Sequence, residues 1–414
     1  MKHLLVFLFC IQALLGLAQK QVTLKEAEDL LQKNNMLLIA EQFNISASKA
    51  AVIQAKIWDQ PYIYFEANTF NPEKKQFFDV GSGGEKIASI QQLIYLGGKK
   101  RNEIEFAKSN VAIAELQFEQ VLRNLKLQLA ETFYSNFYDK VKSKTIDAQV
   151  IKLDTLLKNY ETQGVKGNIP LRDIVRLQSL IFELKKSKND LERNMIESLQ
   201  TIALITGVQE SLSPFVDESI LFENFKNTKI NKDSLTQVAL SNNLDYLTAL
   251  KFSESQELYF KWQKSLAVPD LNAGIAYDQR GGAFQDQIDF TVGIPLPLWN
   301  KNKGNIQLAD AKFKQANAYR DYERIAVENK VEALWKIYLQ QKNQFTSINP
   351  TVSKNLEDVY NGMLTNFERR NISLLEFTDF MESYNQTNIY INEVKKAWIL
   401  SCIQINYITN KEIF

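Results

Sequence analysis

The sequence predicts a mainly α protein with a small β part. Long antiparallel helices form a wall, and four strands contribute to a transmembrane β-barrel that other copies complete. Three observations predict it. The chain is written twice, with one order of elements in both halves. Its helical patterns run far beyond globular-domain lengths. Its best strands alternate apolar and polar residues over the 9–11 positions a membrane β-strand needs.

Residues 1–18 read as an export signal. Met1-Lys2-His3 is basic, and Leu4 to Leu17 is an apolar run too short to span a bilayer as a helix. Small residues Gly16 and Ala18 place cleavage after Ala18. Cys10 lies inside the apolar run, which argues against a lipid-anchored N-terminus.

The mature chain then has no histidine and a single cysteine, Cys402. That excludes an intramolecular disulfide and any Ser-His-Asp or Cys-His nucleophile. It also disfavours zinc, copper and haem sites. No glycine-rich phosphate loop is present. The expectation is no enzyme, no catalytic residues, no cofactor and no bound metal. With 49 Lys and Arg against 48 Asp and Glu, the charge balance offers nothing to nucleic acid. No later apolar run reaches a helical span, so a membrane would be crossed as a β-barrel or not at all.

The repeat is read from matched positions. Asn34-Asn35 recurs as Asn242-Asn243 and Pro61 as Pro269, both 208 positions on. Asn102 recurs as Asn305, and Asn168-Ile169-x-Leu171 as Asn371-Ile372-x-Leu374, both 203 positions on. The shortening lies between Phe70 and Asn102, as a surface loop allows.

Each repeat reads helix, strand, strand, long helix, helix. In the first repeat, 19–207, the capping box Thr23-Leu24-Lys25-Glu26 opens a helix that runs to about Trp58. Pro61 ends it. A β-hairpin follows over 62–96, with Gly81, Gly83 and Gly84 in its loop. Ile104, Ala107, Val111, Ala114, Phe118, Val121 and Leu125 step by three and four within a helix over 99–163. Gly164 and Gly167 break it, and Pro170 starts the next helix, 170–207. Residues 208–233 read as an irregular connector with a short helix. The second repeat, 234–414, has a helix to Leu266, a β-hairpin over 270–297, and helices over 303–366 and 374–411. The longest helices approach ~95 Å at 1.5 Å per residue.

In the second hairpin Ile288, Phe290, Val292, Ile294 and Leu296 share one face against Gln287, Asp289, Thr291 and Gly293. Leu271, Ala273, Ile275 and Tyr277 alternate likewise with Asp270, Asn272, Gly274 and Asp278. Ile288, Phe290, Val292, Ile294, Leu271 and Ile275 are therefore the candidate lipid-facing residues. Tyr62, Tyr64, Tyr95 and Trp299 lie near strand ends, where interfacial aromatics belong. A soluble sheet with one face on a core alternates identically, but strands flanked by such long helices have no local core to cover. Four strands alone leave open edges that hydrocarbon penalises by several kcal/mol per unsatisfied group, so the chain is expected to oligomerise.

Over essentially its whole mature length the chain resembles the TolC-type outer-membrane efflux factors. The residues that carry the resemblance are Val22-Thr23-Leu24-Lys25-Glu26-Ala27, Leu96-Gly97-Gly98-Lys99-Lys100 and Gly293-Ile294-Pro295-Leu296-Pro297-Leu298-Trp299-Asn300. The stretch ending Lys303-Gly304-Asn305 is most like the CzcC/CusC cation-efflux branch. The resemblance implies a homotrimer with a twelve-stranded barrel in the outer membrane and a TolC-like α-barrel in the periplasm. It implies a passive efflux duct that meets a periplasmic adaptor and an inner-membrane transporter of the RND type. It also implies a ring of carboxylates at the tunnel end. Glu376 and Asp379 match the family's acidic pair, and Asp173 corresponds to Glu376 in the first repeat. Arg369 and Arg370, with Gly164 and Gly167 of the first turn, are candidate tip or adaptor contacts. Metal cations, hydrophobic drugs or secreted proteins (a type I secretion duct) are the cargoes it allows. A periplasmic coiled-coil adaptor or scaffold is the alternative, with Glu376 and Asp379 then plain surface acids.

Overall fold

Thr23 accepts a hydrogen bond from the Glu26 N–H while the Glu26 carboxylate accepts one from the Thr23 N–H, so the first helix opens on the expected capping box. The computed structural model describes residues 20–210, 212–281, 283–299, 301–348 and 350–414, and the export signal expected over residues 1–18 lies outside them. In chain order the elements are β1 (Lys20–Val22), α1 (Leu24–Asn34), α2 (Met36–Lys56), β2 (Tyr62–Ala67), β3 (Phe70–Asn71), β4 (Gln76–Phe77), β5 (Glu85–Ile94), α3 (Lys99–Val165) and α4 (Leu171–Thr206). There follow β6 (Leu212–Pro214), α5 (Glu218–Asn227), α6 (Lys232–Asn242), α7 (Leu244–Ser265), β7 (Leu271–Arg280), β8 (Phe284–Gly293), α8 (Lys303–Ser347), α9 (Pro350–Glu368) and α10 (Leu374–Thr409). No described helix is long and apolar enough to cross a membrane.

Three expected helices are each two. The helix from Thr23 to Trp58 divides at Asn35, and the one from 234 to Leu266 divides at Asn243. Both asparagines turn extended, with ψ of 119° and 121°. The Asn35 amide donates to the Ile205 carbonyl at 2.8 Å, and its side-chain oxygen accepts from the N–H groups of Leu37 and Leu38. Asn243 donates to the Ile408 carbonyl at 3.0 Å. Each side chain thus satisfies a carbonyl in the last turn of a distant helix, where the backbone has no partner of its own. The second long helix, expected over 303–366, ends at Ser347, and proline, which has no N–H to donate, opens α9. The long helix of the first half is continuous for 67 residues, about 100 Å at 1.5 Å per residue.

The chain forms two compact units that cut across the repeats. One takes residues up to Ile39, Gln120–Asn243 and Ala326–Phe414; the other takes Ala40–Glu119 and Leu244–Ile325. The connector belongs to the first. β6 pairs in parallel with β1, burying Val22, and Asp217 caps α5. Trp398, fully buried, stacks against Phe222 and packs on Phe345 and Phe225. A second core of this unit joins α3 and α4 to α9 and α10 through Leu153, Leu177, Ile181, Phe367, Phe377 and Met381.

The other unit carries a four-stranded antiparallel sheet in the order β2-β5-β7-β8. The two hairpins of the repeats meet through β5 and β7, leaving β2 and β8 as edges. The junctions explain the glycine and lysine motif after β5. Gly97 adopts φ +68° with Val268 so close that a Cβ would lie 2.8 Å from it, so only glycine fits. Lys99, buried, pairs with Asp270 at 2.7 Å, and Asp270 also accepts from the Leu96 N–H. The start of β7 is thereby tied to the end of β5.

Candidate functional site

Two places in the structure lack an internal explanation: the sheet, and the paired turns that end the long helices. The register puts Ile63, Ile90, Ile275 and Phe290 in one row across all four strands. The next row on the same face is Phe65, Ala88, Tyr277 and Ile288. This face is open. Ile63, Ile90, Ile275 and Phe290 are 58, 48, 55 and 73% exposed, although a soluble protein would bury such a patch. Ile288, Val292 and Ile294 are likewise exposed, while Leu271 is half-buried. The opposite face presents Ser89, Gln91, Asn272, Asp278, Gln287, Asp289 and Thr291. No described element of the unit covers the apolar rows, and both edge strands keep unpaired backbone groups.

In the other unit the turn after α3 is a Schellman motif. Gly167, at φ +77°, donates to the Gly164 carbonyl, and the Asn168 N–H donates to the Gln163 carbonyl. The turn between α9 and α10 repeats it atom for atom. Arg370, at φ +63°, donates to the Phe367 carbonyl, and Asn371 donates to the Asn366 carbonyl. The two glycines of the first turn are replaced here with different consequences. A Cβ on Gly164 would strike the Ile174 side chain at 2.4 Å. The counterparts of Gly164 and Ile174, 203 positions on, are Phe367 and Phe377. These two stack face to face, with centroids 4.3 Å apart and planes 4° from parallel. Both partners have changed together, so a flat ring fits where a branched side chain would clash. The 203-residue offset marks Phe367 as the residue in place of Gly164, but sequence pattern alone missed the stack, since Phe377 is its partner only once the turn has folded.

Arg370 has no such compensation. A side chain at this left-handed position costs about 1 kcal/mol relative to glycine. Arg370→Gly is therefore expected to raise stability by about that amount in denaturant unfolding. Arg369, its neighbour, is also exposed.

The acidic residues fall at the start of the two returning helices. Glu376 closes a capping box with Ser373, accepting from its N–H and its hydroxyl at 2.8 Å each. The Ser373 backbone N–H first, and its hydroxyl second, hold the Glu376 pKa below its ordinary 4.5. A depressed carboxyl stabilises the fold at pH above that ordinary value, and the contribution disappears as pH falls through the lowered pKa. Asp379, one turn on, shares the exposed face and lies 3.9 Å from Arg176. Asp173 pairs with its neighbour Arg172 at 3.3 Å. Arg176 is the first-repeat counterpart of Asp379, so the repeat places a cation against an acid where two copies of an acid would repel. Behind them a groove of about 450 Å³ runs between α4 and α10, lined by polar side chains such as Lys142, Glu183, Glu382 and Asn385 and by apolar ones such as Ile146 and Leu180. Among the described residues no three His, Cys, Asp or Glu side chains converge as metal ligands.

No protein-family model matches the chain. The chain is 20% identical over 383 residues to the cobalt-zinc-cadmium resistance protein CzcC of Cupriavidus metallidurans, covering 89% of this chain and 85% of that protein. It superposes on the crystal structure of CusC with a TM-score of 0.72 at 14% identity, over 94% of this chain and 92% of the other. The outer membrane channel CmeC of Campylobacter jejuni gives a TM-score of 0.70 at 14% identity, over 93 and 85%. The chain has the TolC-type fold of outer-membrane efflux channels.

Proposed function

We propose that the protein is the outer-membrane component of a tripartite efflux system, a passive duct and not an enzyme. Three copies close their sheets into a twelve-stranded barrel in the outer membrane, and the helices extend into the periplasm. A periplasmic adaptor and an inner-membrane transporter of the RND type complete the path. The observation that supports this best is the sheet with one bare apolar face and two unpaired edges, which is a barrel segment without its neighbours. A periplasmic scaffold would have no use for that face.

The test is fractionation and reconstitution. The protein is expected in the outer membrane as an oligomer that needs detergent for extraction and forms conducting pores in planar bilayers. A soluble periplasmic monomer would overturn the reading.

Metal cations are the proposed cargo, in keeping with the likeness to CzcC, a metal resistance protein by name. Glu376 and Asp379, with Asp173, are proposed to ring the tunnel end, and Arg369 and Arg370, with the Gly164–Gly167 turn, to meet the adaptor. A threefold ring of exposed carboxylates attracts cations by the device that channel selectivity uses. Glu376→Gln with Asp379→Asn should lower cation preference in single-channel recordings. Arg176→Gln should raise it, because Arg176 partly neutralises Asp379. Unchanged reversal potentials in both variants would remove these residues from the aperture.

A further inference from the structure

We infer that the tip end of each copy is one rigid four-helix body, so that any change in the width of the tunnel end comes from movement between copies and not within one. The tunnel end itself rests on the reading of the chain as a trimeric duct.

The helices concerned belong to one compact unit at this end. They form two helical hairpins, α3 with α4 and α9 with α10, one from each repeat. A hinge within a copy would need a seam between the hairpins. The core has none. On α4, Leu177, Ile181 and Leu184 step by four and three, and on α10 Phe377, Met381 and Tyr384 repeat that spacing. Both stripes enter a single buried cluster with Leu153 of α3 and Leu364 of α9. Swinging α9 and α10 off the other hairpin would bare Phe367, Phe377 and Met381, each no more than 1% exposed. Close-packed interiors resist such deformation, and motion goes instead to interfaces that have two arrangements.

Polar contacts cross from hairpin to hairpin as closely as they join the two helices of one. Within the first hairpin Lys185 meets Asp154 at 3.0 Å. Between the hairpins Lys142 meets Glu393 at 2.9 Å. Lys152 donates to the Asn361 side chain at 3.3 Å, with its charge over the Tyr360 ring. At the turn the Tyr160 ring of α3 reaches Phe367 of α9. Arg176 and Asp379, by contrast, are 3.9 Å apart and 47 and 69% exposed. An exposed ion pair of this kind contributes little. The apolar core, and not this ion pair, holds the two hairpins together.

The test challenges that ion pair in the full-length oligomer. Asp379→Arg turns its contact with Arg176 into a repulsion, and Arg176→Asp does the same from the other side. Nitroxide labels are placed at Thr155→Cys on α3 and Ser383→Cys on α10, both small and exposed residues. Cys402 is fully buried and takes no label. Labelled chain is diluted into unlabelled chain, so that each ring carries at most one labelled copy. The distance between the two labels is then read by double electron–electron resonance. The expected result is one narrow distribution that neither charge reversal changes. Any displacement should appear only between copies, read from undiluted chain labelled at Ser383→Cys alone. A second population in the parent, or a shifted maximum within a copy in either variant, overturns the rigid body. If no distance between copies is detected, the trimer falls, and the distribution within a copy still decides the rigid body.

Discussion

Phe290→Arg is expected to strip the protein from the outer membrane. An arginine facing lipid near the bilayer midplane costs about 2–4 kcal/mol in a β-barrel, and the proposed trimer repeats that cost in every copy. The measurement is the fraction of chain recovered as an oligomer in the outer-membrane fraction. Asp289→Arg, one residue away on the polar face, is the matched control. It should assemble normally and shift ion selectivity toward anions, because its side chain would line the lumen. The contrast decides between two accounts of the sheet. In a soluble protein, Phe290 at 73% exposure would be a surface position, where substitutions stay within about 0.5 kcal/mol. Equal recovery of the two variants would favour that second account.

Phe367→Ala is expected to loosen the turn between α9 and α10. The ring is 1% exposed, stacked on Phe377 and 5.5 Å from the Tyr160 ring. Truncating a buried phenylalanine costs about 3–5 kcal/mol. Because the contact lies at one end of the unit, local opening should absorb much of the loss before global unfolding does. Hydrogen exchange at the Arg370 and Asn371 amides, which hold the turn, should therefore accelerate far more than exchange around Trp398. A double variant carrying Phe367→Gly and Phe377→Ile copies the first turn. It should recover part of the loss of Phe367→Gly alone, since the two positions are directly coupled. Strict additivity would mean that the stack does not hold the turn.

Much of this was written locally. The capping box at Thr23, the end of the first long helix near Val165 and the apolar alternation of β7 and β8 were legible because each depends on neighbours within a few positions. Strand ends shifted by a few residues. The first strand of the hairpin expected over 62–96 ends at Ala67, because its last ladder partner is Lys86 and the chain beyond turns into the short β3–β4 pair. The aperture candidates were legible only in part. The spacing of Glu376 and Asp379 showed that they share a face, but not that Ser373 engages the first and Arg176 approaches the second.

The sequence by itself determined the periodicities and the duplication, because these are properties of composition and local spacing. The tertiary structure decided where helices break and which strands meet. Asn34-Asn35 and Asn242-Asn243 marked the repeat, yet their role as breaks depends on carbonyls 170 and 165 residues away, at Ile205 and Ile408. The β5–β7 pairing and the Phe367–Phe377 stack are likewise contacts between separate segments. A side chain's preference is encoded in its own chemistry, but its partner is chosen only when the chain has folded and distant unsatisfied groups come within a few ångströms of each other.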